Sequence, residues 1–347
     1  MRFAIDVMGG DNAPDAIVKG CLDALALLEE NDRLLLVGDE AVIRDIVHER
    51  GVDDPRVEVV HAADTIEMHE PPVEAVRSKP ESSLVKMVTL GSSRKSDDPV
   101  DVVISAGNTG ACVSAATMHM KRLPNAHRPG IACVIPALHG PVVLCDVGAN
   151  PEPRASHLMQ YAVMAETYAQ KVVGIETPRV ALLNIGSEEG KGTGMIREVR
   201  ELLRATPGMN CIGYIEGRDL FEGKADVVVT DGFVGNITLK LAEGLAKSLF
   251  STIAQEVFET DPDLAIELQP VMASLFKKND YHEYGGAPLL GVRGVCIICH
   301  GSSQARTITN TIKHARDYVS QGVNDAIVRR LKEIDEYVSS RDEATTS

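Results

Sequence analysis

Tryptophan is absent from this 347-residue chain, and aromatic side chains of any kind are few, with 7 tyrosines and 6 phenylalanines. The core must therefore come from Val, Ile, Leu and Ala. Positive charge is also short: 35 Lys and Arg face 50 Asp and Glu, leaving −15. That balance excludes a general attraction to nucleic acid or anionic lipid, so an acidic partner needs a local basic patch. No apolar run approaches the ~20 residues of a membrane-spanning helix. Met1-Arg2 leads straight into a short strand and a polar loop, which does not read as a secretory signal and leaves the cytoplasm as the expected compartment. Low-complexity tracts and flexible interdomain linkers are missing too. We expect one domain over 1–338, with 259–280 as a possible protruding helical tip and 339–347 as a frayed tail.

The usual catalytic signatures fail in turn. There is no G-x-S-x-G elbow for an acyl-enzyme serine, no zinc-ligand spacing, and no G-x-G-x-x-G between a strand and a helix. The run Gly186-Ser-Glu-Glu-Gly190-Lys191-Gly192 imitates a phosphate loop, but its glycines stand too close together, and Gly192 occupies the place of the Ser or Thr that would hold magnesium. Cys296-Ile-Ile-Cys299-His300 has the form of a haem attachment site, yet it lies in an apolar, alternating run that reads as a buried strand. The other cysteines also sit mostly in apolar runs, as reduced core residues do. No metal or cofactor is expected.

What is present is a series of strand-end loops. Asp226-Val-Val-Val-Thr-Asp231-Gly232-Phe-Val-Gly235-Asn236 joins a buried strand to a helix through a glycine-bearing turn. The same pattern stands 125 positions earlier, where Asp101, Gly107 and Gly110 match Asp226, Gly232 and Gly235. Such glycines admit close approach of a ligand to the backbone, and the amides opening a helix favour an anion. The pair suggests two walls of one anion-binding cleft, although αβ crossovers often carry glycines without binding anything.

The first 60 residues alternate strand and helix: strands at 2–7, 34–37 and 57–61, helices from Pro14 to about Glu29 and over 41–50. Asp11 or Asn12 is a candidate cap for the first helix. This β-α-β rhythm predicts an α/β fold, a mostly parallel sheet between two helical layers. Residues 66–86 break the rhythm with an extended stretch and a turn carrying Arg77 and Lys79, before Ser82 and Ser83 cap a helix. Strands follow at 131–136 and 141–145, possible partners in a hairpin, then a helix over 154–169 and a strand over 180–185. A helix spans 237–258. Beyond it, Leu264, Leu268, Val271, Met272 and Leu275 recur at helical spacing, and Pro270 argues for a kink or break. The glycine-rich 283–291 leads into a last strand at 295–299, and Ser302 or Ser303 caps a helix over 304–319.

Gathered together, the loops offer Gly10 and Asp11, Gly107, Asn108 and Thr109, Asn150, Lys191, Asp231 and Asn236, and His300 with Ser302. Amides, hydroxyls and one or two cations are equipment for holding an oxyanion. Each also has a structural reading; Asp231 fits a helix cap as well as it fits a catalytic role.

Several of these stretches, in order along residues 2–320, resemble the bacterial phosphate acyltransferases. They are Asp6-x-Met-Gly-Gly-Asp11, Glu70-Pro-Pro with Arg77 and Ser82-Ser83, Ser105-Ala-Gly-Asn-Thr-Gly-Ala111, Asp146-Val-Gly-Ala-Asn150, Asn184-Ile-Gly with Lys191-Gly192, Thr230-Asp-Gly-Phe-x-Gly-Asn236, and His300-Gly-Ser-Ser303. The resemblance implies a three-layer α/β/α fold akin to isocitrate dehydrogenase and phosphotransacetylase. It implies transfer of a long-chain acyl group from acyl carrier protein to inorganic phosphate, giving acyl phosphate for phospholipid synthesis. It also implies a homodimer, contact of 264–276 with the inner face of the membrane, and an integral-membrane glycerol-3-phosphate acyltransferase downstream. By similarity Lys191 and Asn236 stand at the reacting centre, with Asp231 orienting one of them; Gly10, Asp11, Gly107, Asn108, Thr109, Asn150, Gly232, Gly235, His300 and Ser302 contribute to the phosphate cradle. Thr193-Gly194, Thr307 and Thr309 depart from the expected pattern. Lys277, Lys278, Arg197, Arg200 and Arg204 are candidates for the patch that meets the acidic carrier. A phosphotransacetylase using short acyl-CoA would share the fold and chemistry, and a non-catalytic scaffold for lipid enzymes would need neither Lys191 nor Asn236.

Overall fold

The computed structural model describes residues 1–279 and 284–346, with side chains described for 1–275 and 284–337. Among the described residues, eleven strands make one sheet: β1 (Arg2–Asp6), β2 (Arg33–Gly38), β3 (Val57–His61), β4 (Val102–Ser105), β5 (Gly130–Ile135), β6 (Val142–Cys145), β7 (Val180–Leu183), β8 (Cys211–Ile215), β9 (Val227–Val229), β10 (Ala287–Leu290) and β11 (Val295–Ile298). Their order is β3-β2-β1-β4-β11-β10-β5-β6-β9-β7-β8. Most pairs are parallel; β10 runs antiparallel to both neighbours, and β5 and β6 form the expected antiparallel pair.

Alternation along each strand sends side chains into two cores. Phe3, Ile5, Leu34, Leu36, Val102 and Ile104 pack on one face with α1 (Asp15–Asp23), α6 (Ala155–Tyr168), α7 (Gly194–Ala205), α10 (Ala305–Ser320) and α11 (Val323–Thr346). Ala4, Leu35, Val37, Val103 and Val228 face α3 (Pro72–Ser78), α4 (Ser83–Leu90) and α5 (Thr109–His119) on the other. At roughly 1.5–3 kcal/mol for each large side chain removed from water, these two cores hold the three layers together. Cys296 and Cys299 lie on opposite faces of the last strand, Cys296 beside Cys112 and Cys299 beside Thr311, so they cannot form a redox pair with each other.

The antiparallel insertions divide the sheet into two sets of opposite direction. β1, β4 and β11 run one way, whereas β6, β9 and β7 run the other. Loops at the carboxyl ends of the two sets therefore emerge at opposite edges of a sheet whose central strands are about four residues, roughly 13 Å, tall. The carboxyl ends of β4 and β9 thus have opposite sense in the sheet, and α8 (Gly232–Thr260), which begins in the 226–235 unit, brings Lys240 close enough to His300 beside the 101–110 unit to act on its charge.

The helix α8 crosses that height, and α9 (Pro262–Asn279) follows it, running through Pro270 without the expected break. Leu239 touches the core, but Val234, Ile237, Leu241, Leu245, Leu249 and Ile253 form an exposed stripe at three- and four-residue spacing. No described helix is long and apolar enough to cross a membrane.

Candidate active site

At the edge formed by β1, β4 and β11, the predicted loops build a tightly knitted scaffold. Asp6, fully buried, accepts from Ser105 Oγ at 2.8 Å, and Ser105 Oγ accepts from the Gly107 amide at 3.0 Å. Burial pushes the Asp6 carboxyl up, against the hydrogen bonds that hold it charged. Gly9 and Gly107 are in backbone contact; a Cβ on Gly9 would stand 2.8 Å from Gly107 Cα. Asn108 caps α5 through Ala111 N (3.0 Å) and donates to the carbonyls of Glu67, Met68 and Glu70, so its amide is committed to holding that segment. Asn12 does not cap α1; its amide reaches the carbonyls of Ser302 and Ser303 instead, while the Asp11 amide donates to Gly301 O. Thr109 opens α5 next to this scaffold. His300 Nδ1 accepts from the Ser302 amide (3.2 Å) and lies 2.7 Å from Ser302 Oγ, which leaves Nε2 to carry the proton of the neutral ring. Partial burial, then the Lys240 ammonium, hold the His300 pKa below its usual value against the pull of Asp11. Gly10, Asp11, Gly107, Asn108, Thr109, His300 and Ser302 thus form one group.

Asn150, Lys191, Asp231, Gly232, Gly235 and Asn236 belong to the opposite edge. Asp146, wholly buried, organises it: Oδ1 accepts from the amides of Ile131, Gly148 and Ala149 at 3.0–3.2 Å, and Oδ2 from Asn150 N at 2.7 Å. Burial raises its pKa while these four amides oppose the rise. The start of α8 lies directly on this loop. A Cβ on Gly235 would stand 1.9 Å from Asp146 O, and one on Gly232 2.8 Å from Asp146 Oδ2, so only glycine permits the approach. Asn150 O accepts from Gly232 N, and Asn150 Nδ2 donates to Pro129 O. Asp231 caps α8 through Val234 N at 2.8 Å. With the Gly232 and Val234 amides engaged, the helix opening has less to offer an anion than its sequence suggested. Asn236, in the first turn, projects beside Gly148; a side chain there would come within 3.9 Å of it.

Lys191 is exposed on the loop after β7, the strand next to β9, and so at the same edge. Asn184 ties that loop from within, donating to Gly186 O, and Gly192 packs against its side chain. From α7, Arg197 donates to Gly192 O, while Arg200 and Arg204 reach Glu189 and Glu201. These arginines fasten the Lys191 loop. The side chains of Lys277 and Lys278 lie outside the described residues. Lys79 is likewise paired, to Glu70 at 2.8 Å, and Arg77 stands on α3 where a turn was expected. The unexpected threonines prove structural: Thr193 caps α7 and Thr309 bonds Gly20 O where α1 and α10 touch.

The sequence singled out the Asp146 loop without its carboxylate's role. It also missed a basic groove beside Asn150, formed by two adjoining cavities of about 660 and 740 Å³ that share Arg122, His127 and Arg128. These residues are distant in sequence from the motifs and show no recurring spacing.

The chain's relatives bear on what this edge does. Residues 1–326 match the fatty acid synthesis protein family. The phosphate acyltransferase of Dictyoglomus turgidum is 43% identical over 337 residues, covering 96% of this chain and 98% of that one. The chain belongs to the phosphate acyltransferase family. A second member, from Geotalea daltonii, is 39% identical over 338 residues, 96% of this chain and 95% of its own. Among solved structures, a phosphotransacetylase from Streptococcus pyogenes superposes with a TM-score of 0.61 at 19% identity, over 92% of this chain and 94% of that one. EutD phosphotransacetylase from Staphylococcus aureus gives 0.57 at 15% identity, over 91% and 94%. The fold is thus phosphotransacetylase-like, and membership of the family makes the chain an acyltransferase.

Proposed function

We propose that this enzyme transfers a long-chain acyl group from acyl carrier protein to inorganic phosphate, with Lys191 and Asn236 at the reacting centre. A phosphate oxygen attacks the thioester carbonyl, the C–O bond forms, and collapse of the tetrahedral intermediate breaks the C–S bond. The products are acyl phosphate and the carrier thiol, which takes up the proton that phosphate gives up. Phosphate is itself the nucleophile, so the protein needs to position it and stabilise charge, with no covalent residue. Lys191 holds the phosphate charge and Asn236 donates to the oxyanion, while Asp231 acts through the start of α8 that carries Asn236. The observation that carries this reading is that, in a chain of this family, Lys191 stands on the loop after β7 and Asn236 near the start of α8, the helix that follows the neighbouring strand β9. Gly10, Asp11, Gly107, Thr109, His300 and Ser302 gather at the ends of β1, β4 and β11, with Lys240 of α8 near enough to lower the His300 pKa, and on this reading they contribute to the phosphate cradle or its scaffold.

The exposed stripe of α8 supports a homodimer joined along it. The 264–276 segment, with Leu264, Ile266, Val271 and Leu275 exposed, suits contact with a membrane surface, where an integral-membrane glycerol-3-phosphate acyltransferase would consume the acyl phosphate. Residues 1–338 would act as one unit with 259–280 as its tip. The reaction is tested by following free thiol released from palmitoyl-carrier protein with and without phosphate. Phosphate-dependent release is expected; release from acetyl-CoA alone would make the enzyme a phosphotransacetylase, and release from neither would end the catalytic reading.

A further inference from the structure

The chain carries a charge of −15, yet six cations line the groove at the Asn150 edge: Arg94, Lys121, Arg122, Arg128, Arg154 and Arg293. All six are exposed, and Glu152 is the single acidic residue among the groove's lining. Among the described residues, none of the six is ion-paired to a carboxylate. The contrast with Arg200, Arg204, Arg179 and Arg330, each held by an acid, is sharp.

The groove is also rigidly built. Its floor is the 121–123 segment paired with 291–293: Arg293 N donates to Lys121 O and Leu123 N to Gly291 O, both at 2.9 Å. Gln160, buried on α6, holds the neighbouring turn at two points, accepting from His127 N at 2.7 Å and donating to Asn125 O at 2.8 Å. Like charges gathered without partners destabilise a fold unless something answers them. Their mutual field is felt by the histidines beside them: burial first, then Lys95 and Lys121, lower the pKa of His119, and burial, then Arg128, His127, Arg154 and Arg122, lower that of His157.

The groove reaches the loop against which α8, the helix that carries Asn236, begins. Asn150 lines the groove, and the same residue's carbonyl receives the Gly232 amide at the start of α8, four residues before Asn236. Resting on the carrier-protein reading above, we infer that this groove docks the acyl donor: an acidic carrier protein seats on its basic rim. The phosphodiester of the carrier's arm lies among Arg122, Arg128 and Arg154, and the thioester end reaches past Asn150 towards Asn236. Guanidinium groups suit this task because their planar forks match phosphate oxygens.

The test measures binding and turnover separately. Fluorescence anisotropy of labelled holo-carrier protein is followed with wild type, with R94E/R293E at the outer end of the groove, and with R44E/R50E, which makes the same charge change on and just after α2 (Glu40–Glu49) beside the far strands β2 and β3. Wild type should bind, and more weakly as salt rises, since surface charges are screened within about 10 Å at 0.1 M ionic strength. R94E/R293E should weaken binding at least about tenfold, and R44E/R50E less than about twofold. With acyl-carrier donor, KM for R94E/R293E should rise in parallel while kcat stays near wild type; with acyl-pantetheine, which lacks both the protein and the phosphodiester, neither should change. Absent binding by wild type, equal loss in both variants, or unaltered binding by folded R94E/R293E would each overturn the inference. So would a loss of binding confined to R44E/R50E. Binding that needs the groove in a protein that shows no phosphate-dependent turnover would leave the groove assigned and refute the reaction.

Discussion

At the scale of single residues, glycines and one carboxylate fix the candidate site more firmly than its polar side chains do. Gly235→Ala would drive a methyl group onto Asp146 O, where the gap is 1.9 Å. Such overpacking is expected to cost about 3 kcal/mol, read as a lower urea midpoint, and turnover should fall further than stability because Asn236 moves with the helix. An alanine variant as stable and active as wild type would mean that α8 can lift off the Asp146 loop at no cost. The sequence announced both glycines, because a turn between a valine run and a helix has few other uses for them. It could not announce what they approach, since Asp146 is 89 positions from Gly235 and meets it only through the pairing of β6 with β9. Asp231 shows the same limit from the other side: a cap and a catalytic carboxylate look alike in sequence, and the bond to Val234 N resolves the first role.

At the scale of elements, periodicity made most of the strands and helices legible, with β3 recovered at its own ends. The strand β10 was not legible. It is four residues long, contains Pro288, and sits in the middle of the sheet, where proline is disfavoured. β10 runs antiparallel to both β11 and β5, which therefore point the same way, and the reversal between the two halves of the sheet falls at the antiparallel pair of β5 and β6; the edge strand β8 was not legible either. The arginines of α7 show a related limit: their charge is visible in sequence, and their partners Glu189 and Glu201 are not. Burial of a charged group within an element gives a further expectation. Glu166, on α6, is buried with Arg330 at 4.0 Å, and burial pushes its carboxyl up from 4.5 to about 7 despite the arginine. The folded chain therefore holds an extra proton between pH 4.5 and 7, so stability should fall as pH rises through that window, with the penalty complete above it. Glu166→Gln should remove that dependence, stabilising the protein at pH 8 by on the order of 2–3 kcal/mol and changing little near pH 4.5. Denaturant titrations of both proteins at the two pH values decide it; equal stabilities at pH 8 would place the titration elsewhere.

At the scale of the whole molecule, the unpartnered features are the apolar stripe of α8 and the basic groove. The stripe leaves Leu241 and Leu245 67% and 64% exposed, more than a solitary helix face tolerates well. On the proposed pairing of two copies along this stripe, light scattering should give a dimer for wild type and a monomer for Leu241→Asp with Leu245→Asp; a monomeric wild type or an unchanged mass in the variant would remove the stripe from any interface. The proposed reaction needs neither a bound metal nor a covalent residue, which suits loops that offer Lys191, Asn236 and backbone amides but no serine elbow. On this proposal the acyl group passes to phosphate at the edge where those two residues stand. The most direct measurement is a ³¹P NMR spectrum of palmitoyl-carrier protein, phosphate and enzyme, for wild type and for Lys191→Ala and Asn236→Ala. We expect an acyl phosphate resonance that grows with wild type and forms about 10²–10³ times more slowly with either variant, both folded. No such resonance with wild type, or equal growth with the folded variants, would contradict it.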